Sequence, residues 1–240
     1  MNYSKELIKT ARELSQAVSG LKFSPPVAVV YNPLEYAWKS HALYLKTYGN
    51  SKKKIVFLGM NPGPWGMAQT GVPFGEINAV KDWLGINAPV NKPKNQHPKR
   101  PIQGFQCQRS EISGLRLWGL FKEKFATAEN FFEHHFVANY CPLAFMEESA
   151  RNRTPDKLKP EERQILFNAC DRHLQQVVQI LEPEWLIGVG KFTEKRALTA
   201  LKETNIKIGS ILHPSPASPA ANKDWAGTVT QQLKDLKIWV

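Results

Sequence analysis

The chain has 240 residues, of which 42% are hydrophobic, enough to build one substantial core, and we expect residues 1–240 to form a single domain. Its 32 Lys and Arg outnumber 21 Asp and Glu, and the formal charge of +11 favours nucleic acid as a partner, although many basic proteins bind none. Residues 1–16 lack the apolar segment of a signal peptide, and no stretch has the length of a membrane span. We therefore expect an intracellular protein, in the cytoplasm or nucleoid of a bacterium or the nucleus of a eukaryote.

Three cysteines, Cys107, Cys141 and Cys170, are widely spaced along the chain. Disulfide scaffolds, iron–sulfur clusters and four-cysteine metal sites need more cysteines at closer spacing. We therefore expect reduced thiols in or near the core, and neither a metal nor another cofactor.

The first predicted element is an amphipathic helix that begins behind Ser4, a candidate N-cap. Its apolar residues recur at helical spacing: Leu7, Ile8, Ala11, Leu14 and Val18. Four short apolar runs bounded by Gly, Pro or Asn are typical of buried strands: 54–59, 136–140, 185–189 and 206–212. Helical patterns separate them: 112–125, 165–181 and 194–202. This alternation predicts an α/β fold, with a mainly parallel sheet covered by helices on both faces.

Residues 87–104 are rich in Pro and Lys and follow neither the helical nor the strand period. A stretch of this composition predicts a long surface loop that carries part of the positive charge.

Parallel sheets bind ligands outside the carboxyl ends of their strands, so the residues after each strand are candidates for chemistry. The first strand leads into G-M-N-P-G-P-W-G (59–66), in which Asn61 is the side chain able to hold a water. An Asn that only bonds the backbone of a tight turn explains this pattern equally well. The spaced glycines followed by Lys-Ser or Lys-Thr of a phosphate-binding P-loop are missing.

His213 follows the fourth strand, next to three prolines that would stiffen a protruding loop. It is either a donor to a ligand or a structural His. Phe74 lies in a Gly/Pro loop, where a ring can face a planar partner or pack in the core. Asn139 ends the second strand with an amide that both donates and accepts, which suits the pairing edge of uracil or the cap of a turn. Neither a G-x-S-x-G elbow nor a zinc-deaminase signature is present.

Taken together, the motifs G-M-N-P-G-P-W-G-M-A-Q-T-G-V-P-F-G-E (59–76) and H-P-S-P-A-S-P-A-A-N (213–222) resemble those of the single-strand-selective monofunctional uracil-DNA glycosylases. Shorter segments extend the resemblance over roughly residues 25–225, among them Y-N-P-L-E-Y-A-W, H-P-K-R-P, S-E-I-S-G and N-Y-C-P-L. The resemblance implies the fold of the uracil-DNA glycosylase superfamily, a three-layer α/β/α arrangement around a central four-stranded, mainly parallel sheet.

The resemblance also implies the role of each matching position. Asn61 would position the attacking water, and His213 would stabilise the departing base, as the two catalytic residues. The substrate-binding residues would be Phe74, which stacks on the base, Asn139, which reads its pairing edge, and Gly59 and Met60, whose backbone lines the pocket. A wedge that enters the duplex would contain Pro214, Ser215, Pro216, Ala217 and Ser218.

Two positions differ from the family pattern. Vertebrate members that resemble this chain carry an Arg in the wedge, where this chain has Ala217. Trp65 stands where other members have Phe, which is also flat and apolar.

The function expected from the resemblance is excision of uracil, and of 5-substituted or oxidised uracils, from single- or double-stranded DNA by a monomer. A glycosylase of the mismatch-specific thymine/uracil branch is an alternative, because its shorter motif matches residues 59–63. A catalytically silent module that binds damaged bases is another, and an enzyme acting on free nucleosides is a third, although it gives the positive charge no role.

Overall fold

A computed structural model describes residues 2–239 of the chain. Its helices are α1 (Tyr3–Ser19), α2 (Pro33–Tyr36), α3 (Trp38–Tyr48), α4 (Met67–Thr70), α5 (Ile112–Phe125), α6 (Ala128–His134), α7 (Pro160–Leu181), α8 (Lys191–Ala200) and α9 (Pro219–Asp235). Its strands are β1 (Val27–Tyr31), β2 (Ile55–Gly59), β3 (His135–Asn139), β4 (Ala144–Glu147), β5 (Asn152–Arg153), β6 (Trp185–Val189) and β7 (Lys207–Ile211).

The central sheet contains the four predicted strands in the order β3-β2-β6-β7, and all three pairings are parallel. The predicted four-stranded sheet is confirmed, and its strand bounds lie within one residue of those expected. Gly59 pairs with Asn139 at the last position of the β2–β3 register. The residues that follow these strands therefore emerge at one edge of the sheet.

Helices cover both faces of this sheet. Ile187 packs in a cluster with Phe121 of α5 and Val229 of α9. Its neighbour Leu186 points the other way and packs in a second cluster with Leu174 of α7. Successive residues of a strand face opposite sides, so this division confirms the three-layer arrangement.

A second sheet, in the order β1-β4-β5 with antiparallel pairs, was not predicted. Its strands are short, and β5 has only two residues, too few to show a period. This sheet supports the site, because Asn152 of β5 donates its Nδ2 hydrogen to the carbonyl of Pro62 at 3.0 Å.

The predicted N-cap of the first helix is wrong. Asn2 caps α1 by accepting a hydrogen bond from the backbone N–H of Lys5, and Ser4 lies inside the helix. Both residue types cap helices well, so composition alone did not decide between them. The predicted core face of α1 is correct at Leu7 and Leu14, which are buried.

Residues 87–103 form an irregular loop, as predicted, but the loop is not wholly superficial. His97 and Ile102 are buried, and the backbone N–H of His97 donates to the Tyr31 hydroxyl at 2.8 Å. The loop is therefore attached to the second sheet.

The three cysteines are free and buried, which confirms the expected core thiols. Among residues 2–239, no helix combines the length and apolarity needed to span a membrane.

Candidate active site

A cleft of about 490 Å³ opens at the carboxyl edge of the central sheet. Asn61, Phe74, Asn139 and His213 all line it, although they come from three separate segments of the chain. We call residues 60–76 the first loop and residues 213–218 the second loop. The two loops face each other across this cleft.

Of the remaining predicted residues, Met60, Ser215 and Pro216 also line the cleft, whereas Pro214, Ala217 and Ser218 do not. Gly59 lies behind it, where a Cβ atom would collide with the side chains of Asn139 and Phe74. Its missing side chain therefore lets those two groups approach the strand end.

Asn61 is oriented by a long-range hydrogen bond. Its Nδ2 donates to the carbonyl of Leu143 at 3.1 Å, across 82 positions of sequence rather than within its own turn. Because the nitrogen is engaged, Oδ1 is the atom left to accept a hydrogen bond from a water in the cleft. The local-turn alternative does not describe this geometry.

His213 presents a neutral donor to the cleft. Its Nδ1 accepts a hydrogen bond from the backbone N–H of Ser215 at 3.1 Å, which assigns the proton to Nε2. Burial lowers the pKa of His213 to about 4, so the ring is uncharged at neutral pH. The Nε2–H group can therefore donate to a ligand without carrying a positive charge.

Phe74 has a left-handed backbone, with φ of 51°, which is strained for a residue with a side chain. Trp118 holds this turn by donating its indole N–H to the Phe74 carbonyl at 2.9 Å. Gly114 of α5 lies so close to the same carbonyl that any Cβ there would clash. Phe74 is 8% exposed, packs in the core and lines the cleft, so the geometry accommodates both of the roles considered for it.

Asn139 reaches the cleft from the last position of β3. Its Nδ2 lies 3.1 Å from the sulfur of Met67. A thioether is a weak acceptor, so this amide hydrogen remains ready for a stronger one. No turn-capping bond of this side chain occurs within the described residues, in contrast to the capping alternative.

The tip of the second loop is exposed at Pro216 and Ala217, whereas Pro214 is buried at its base. The hydroxyl of Ser215 accepts from the N–H of Ala217 at 3.2 Å. Ser218 caps α9, because its side chain accepts from the N–H of Ala221. The loop is thus a protruding turn that joins β7 to α9.

Two side chains anchor this loop to the body of the protein. Arg116 of α5 donates to the carbonyl of Pro214 at 3.0 Å and to Oδ1 of Asn222 at 2.9 Å. Asn222 in turn donates to the carbonyl of Pro216 at 2.8 Å. Asn222 ends the second motif (213–222), but no anchoring role was predicted for it, and Arg116 was not singled out from the sequence.

Sequence reasoning also missed Glu111, which precedes α5 and lines the cleft. Its carboxylate occupies the space where a Cβ on Gly63 or Gly66 of the first loop would lie. Burial, and then the charge of Glu76, raises the pKa of Glu111 to about 7. The two glycines were a visible signal of close approach, but nothing in the sequence showed which residue would fill the space.

Within residues 2–239, no three His, Cys, Asp or Glu side chains are grouped as ligands for a metal ion.

The family model of the uracil DNA glycosylase superfamily matches residues 46–237. The chain is 45% identical over 238 residues to the single-strand selective monofunctional uracil DNA glycosylase of Mus musculus, covering 98% of this chain and 84% of that protein. The protein of the same name from Bos taurus is 46% identical over 227 residues, covering 94% of this chain and 84% of that protein.

The solved structure of SMUG2 from Pedobacter heparinus resembles the chain with a TM-score of 0.73. The match covers 99% of this chain and 97% of that one at 16% sequence identity. At this identity, the likeness shows the fold alone.

Proposed function

Because the chain belongs to the uracil DNA glycosylase superfamily, we propose that it is a monofunctional glycosylase that flips uracil out of DNA and hydrolyses its N-glycosidic bond. The product is an abasic site. The observation that carries this proposal is the placement of Asn61 and His213 in one cleft, each oriented by a hydrogen bond to the backbone. Curated relatives at 45% identity bear the name of this activity.

The role of His213 follows from where charge develops. As the bond breaks, negative charge appears on the uracil ring and positive charge on the sugar. A donor already aimed at the uracil O2 stabilises that transition state more than the bound substrate. The neutral Nε2–H of His213 is such a donor, since its partner Ser215 fixes the ring orientation.

The role of Asn61 is to position water. The oxocarbenium-like sugar is a strong electrophile, so orientation of the nucleophile matters more than removal of its proton. With Nδ2 engaged by Leu143, Oδ1 of Asn61 accepts a hydrogen bond from the water and directs it towards C1′. An amide is not a strong base, so this mechanism needs no general base at position 61.

Recognition of the base falls to Phe74 and Asn139. The aromatic ring stacks on the flipped base, and the amide of Asn139 accepts from uracil N3–H while donating to O4. When the base binds, the amide N–H of Asn139 exchanges its weak contact with the Met67 sulfur for a stronger hydrogen bond to the O4 carbonyl of uracil, and this exchange favours binding. Groups attached to C5 leave this pairing edge unchanged, so 5-substituted uracils meet the same two contacts.

We further propose that the protein acts as a monomer on both single-stranded and double-stranded DNA. All proposed catalytic and base-binding residues line one cleft of one chain. The tip of the second loop is exposed, which supports its role as the wedge that fills the gap left by a flipped base. Flipping costs a few kcal/mol and least from single strands, which favours substrates that are already unpaired.

The experiment is to incubate the protein with a single-stranded oligonucleotide that contains one uracil, and to look for alkali-labile cleavage at that position. We expect cleavage, and we expect no covalent adduct when borohydride is present, because the attacker is water. A trapped adduct would contradict monofunctional chemistry.

The same assay separates the alternatives. An enzyme of the mismatch-specific branch would leave single-stranded DNA intact and cleave mismatched duplexes. A silent binding module would bind the oligonucleotide without cleaving it. An enzyme of nucleoside metabolism would release uracil from free deoxyuridine.

A further inference from the structure

A cationic group lies on the rim of the cleft, outside the base-binding residues. Trp65 belongs to the first loop and lines the cleft. The guanidinium carbon of Arg100 lies 5.0 Å from the centroid of the Trp65 ring, and that of Arg109 lies 5.1 Å from it. Such distances are within the range of a cation–π contact. The side chains of Arg100 and Arg109, which come from separate segments, therefore both contact the Trp65 ring.

Hydrogen bonds within the protein fix the backbone beside Trp65 and Arg100 without any ligand. Gln69 is fully buried and donates to the carbonyl of Pro64 at 2.9 Å and to that of Pro101 at 3.0 Å. These bonds join the residue before Trp65 to the residue after Arg100. The carbonyl of Arg100 also accepts from the Tyr31 hydroxyl at 2.6 Å. The backbone on both sides of the contact is thus preorganised.

Both guanidinium groups lack an acidic partner among the described residues. The side chain of Arg100 donates to the Lys99 carbonyl at 2.9 Å, but its Nε is buried without a partner. Glu111 does not neutralise the pair, since it forms an ion pair with neither guanidinium group among the described residues. A buried donor without a partner is costly, and an anionic ligand placed between the two guanidinium groups would offer an acceptor and offset their like charges.

The chemistry of the group favours a phosphate over a base. Guanidinium groups form paired hydrogen bonds with phosphate oxygens. The Trp65 ring is already in contact with two cations, which leaves less of it free to stack on a base. Across the cleft, residues 213–218 contain no Lys, Arg, Asp or Glu, so the tip of the second loop supplies no phosphate contact through a charged side chain.

We propose that Trp65, Arg100 and Arg109 form a phosphate-binding subsite for the DNA strand next to the flipped nucleotide. This proposal rests on the proposed function, since it takes the cleft to be the place where the nucleotide enters. The guanidinium groups hold the backbone of the strand, and the Trp65 ring holds the guanidinium groups in place.

The test uses the 240-residue chain and a single-stranded oligonucleotide without uracil, so that binding is measured independently of excision. Affinity is measured by fluorescence anisotropy over a series of salt concentrations. Each phosphate contact on a single strand contributes about 0.7 to the slope of log affinity against log salt. We expect Arg109→Gln to reduce the slope by about that amount and to weaken binding several-fold at low salt.

Arg172→Gln is the matched control. Arg172 is an exposed residue of α7 that does not line the cleft, and its replacement removes the same charge. We expect this variant to keep the wild-type slope. Equal slopes for Arg109→Gln and Arg172→Gln would overturn the proposal, because only the overall charge would then matter.

Trp65→Leu tests the ring without changing the charge. We expect a weaker affinity and a smaller slope, because the guanidinium groups lose their common support. A wild-type slope and affinity in this variant would remove Trp65 from the subsite. Melting temperatures of all variants exclude unfolding as the cause of lost binding.

Failure of the proposed function looks different from failure of the subsite. Suppose that wild-type protein binds DNA but leaves uracil in place, while Arg109→Gln still reduces the slope of log affinity against log salt. That result would support the subsite and contradict the proposed activity. If uracil is excised and the two variants Arg109→Gln and Arg172→Gln show the same salt dependence of affinity, the result would support the activity and contradict the subsite.

Discussion

The two loops that face each other across the cleft are built in opposite ways. Most of the first loop is buried, including every residue from Gly66 to Glu76. The second loop is exposed at its tip and depends on the anchors Arg116 and Asn222. The difference indicates a division of labour. Two of the groups that we propose to act on the base or the water, Asn61 and Phe74, lie on the first loop, and the part that we propose to enter DNA lies on the exposed second loop.

Hydrogen bonds from neighbouring helices hold the first loop. The Tyr36 hydroxyl donates to the carbonyl of Ala68 at 2.6 Å, and the His41 ring contacts the carbonyl of Gly71 at 2.8 Å. Thr70 donates to the carbonyl of Gly75 at 3.1 Å within the loop itself. Each such bond contributes about 1 kcal/mol, so several together favour one conformation strongly. His213 is the exception to the division, because it places a ligand-facing donor at the base of the second loop.

His213→Leu should have the largest effect on activity. Leu keeps a similar bulk but cannot donate to the uracil O2, so we expect a loss of about 10²- to 10³-fold in single-turnover cleavage. DNA affinity should change much less, because the charge on the leaving base appears only in the transition state.

Melting temperature is measured alongside this rate. A purely structural His213 predicts the reverse pattern, a less stable protein whose folded fraction cleaves normally. That result would remove His213 from the mechanism and leave the second loop with no part in the chemistry.

Glu111→Gln tests the cost of burying a carboxylate against the first loop. The pKa of Glu111 is raised from 4.5 to about 7, so its protonated form stabilises the fold below pH 4.5. This contribution is lost as the pH rises through about 7. One pKa unit corresponds to about 1.4 kcal/mol of unfolding free energy. Because Glu111 is partly exposed, screening by solvent reduces its total contribution to about 2 kcal/mol.

The variant should therefore melt at a higher temperature than wild type at pH 8, and the two should melt alike near pH 4.5. Thermal unfolding across this pH range checks the prediction. A constant difference at every pH would mean that ionisation of Glu111 does not oppose the packing of the first loop.

The central sheet and the composition of the cleft were predictable for one physical reason. Buried parallel strands are continuous apolar runs, and their carboxyl ends meet at one edge, so Asn61, Asn139 and His213 could be placed together from their positions alone. Phe74 was added to them through the family resemblance. The second sheet was missed because its strands are too short to show a period. The roles of Glu111, Arg100 and Arg109 were missed because they depend on contacts with residues 63–66, which lie about 35 to 48 positions away in the sequence.

Asn139→Asp tests the side chain that we propose to read the pairing edge of the base. A carboxylate accepts from the N4 amino group of cytosine but cannot donate to the O4 of uracil unless it is protonated. We expect uracil excision to fall about tenfold or more, since a base-edge contact is worth about 1–3 kcal/mol, and cytosine to become a substrate. Single-turnover rates on matched uracil and cytosine oligonucleotides measure both changes. Full uracil activity would show that Asn139 does not read the base.

Asn222→Ala should have the smallest effect, and it tests the exposed loop without changing any charge. The variant loses the hydrogen bond from Asn222 to the carbonyl of Pro216 and removes the acceptor of Arg116. The tip of the second loop then becomes less rigid, so it loses more conformational entropy when it enters a duplex. We expect excision from double-stranded DNA to slow by about threefold, which corresponds to less than about 1 kcal/mol.

Excision from single strands is the internal control for this variant, because no duplex has to be opened there. We expect that rate to stay at the wild-type value. Equal slowing on both substrates would mean that the anchor acts on His213 at the base of the loop rather than on the tip. The second loop would then belong with the groups that we propose to act on the base or the water, and the contrast between the two loops would be one of exposure alone.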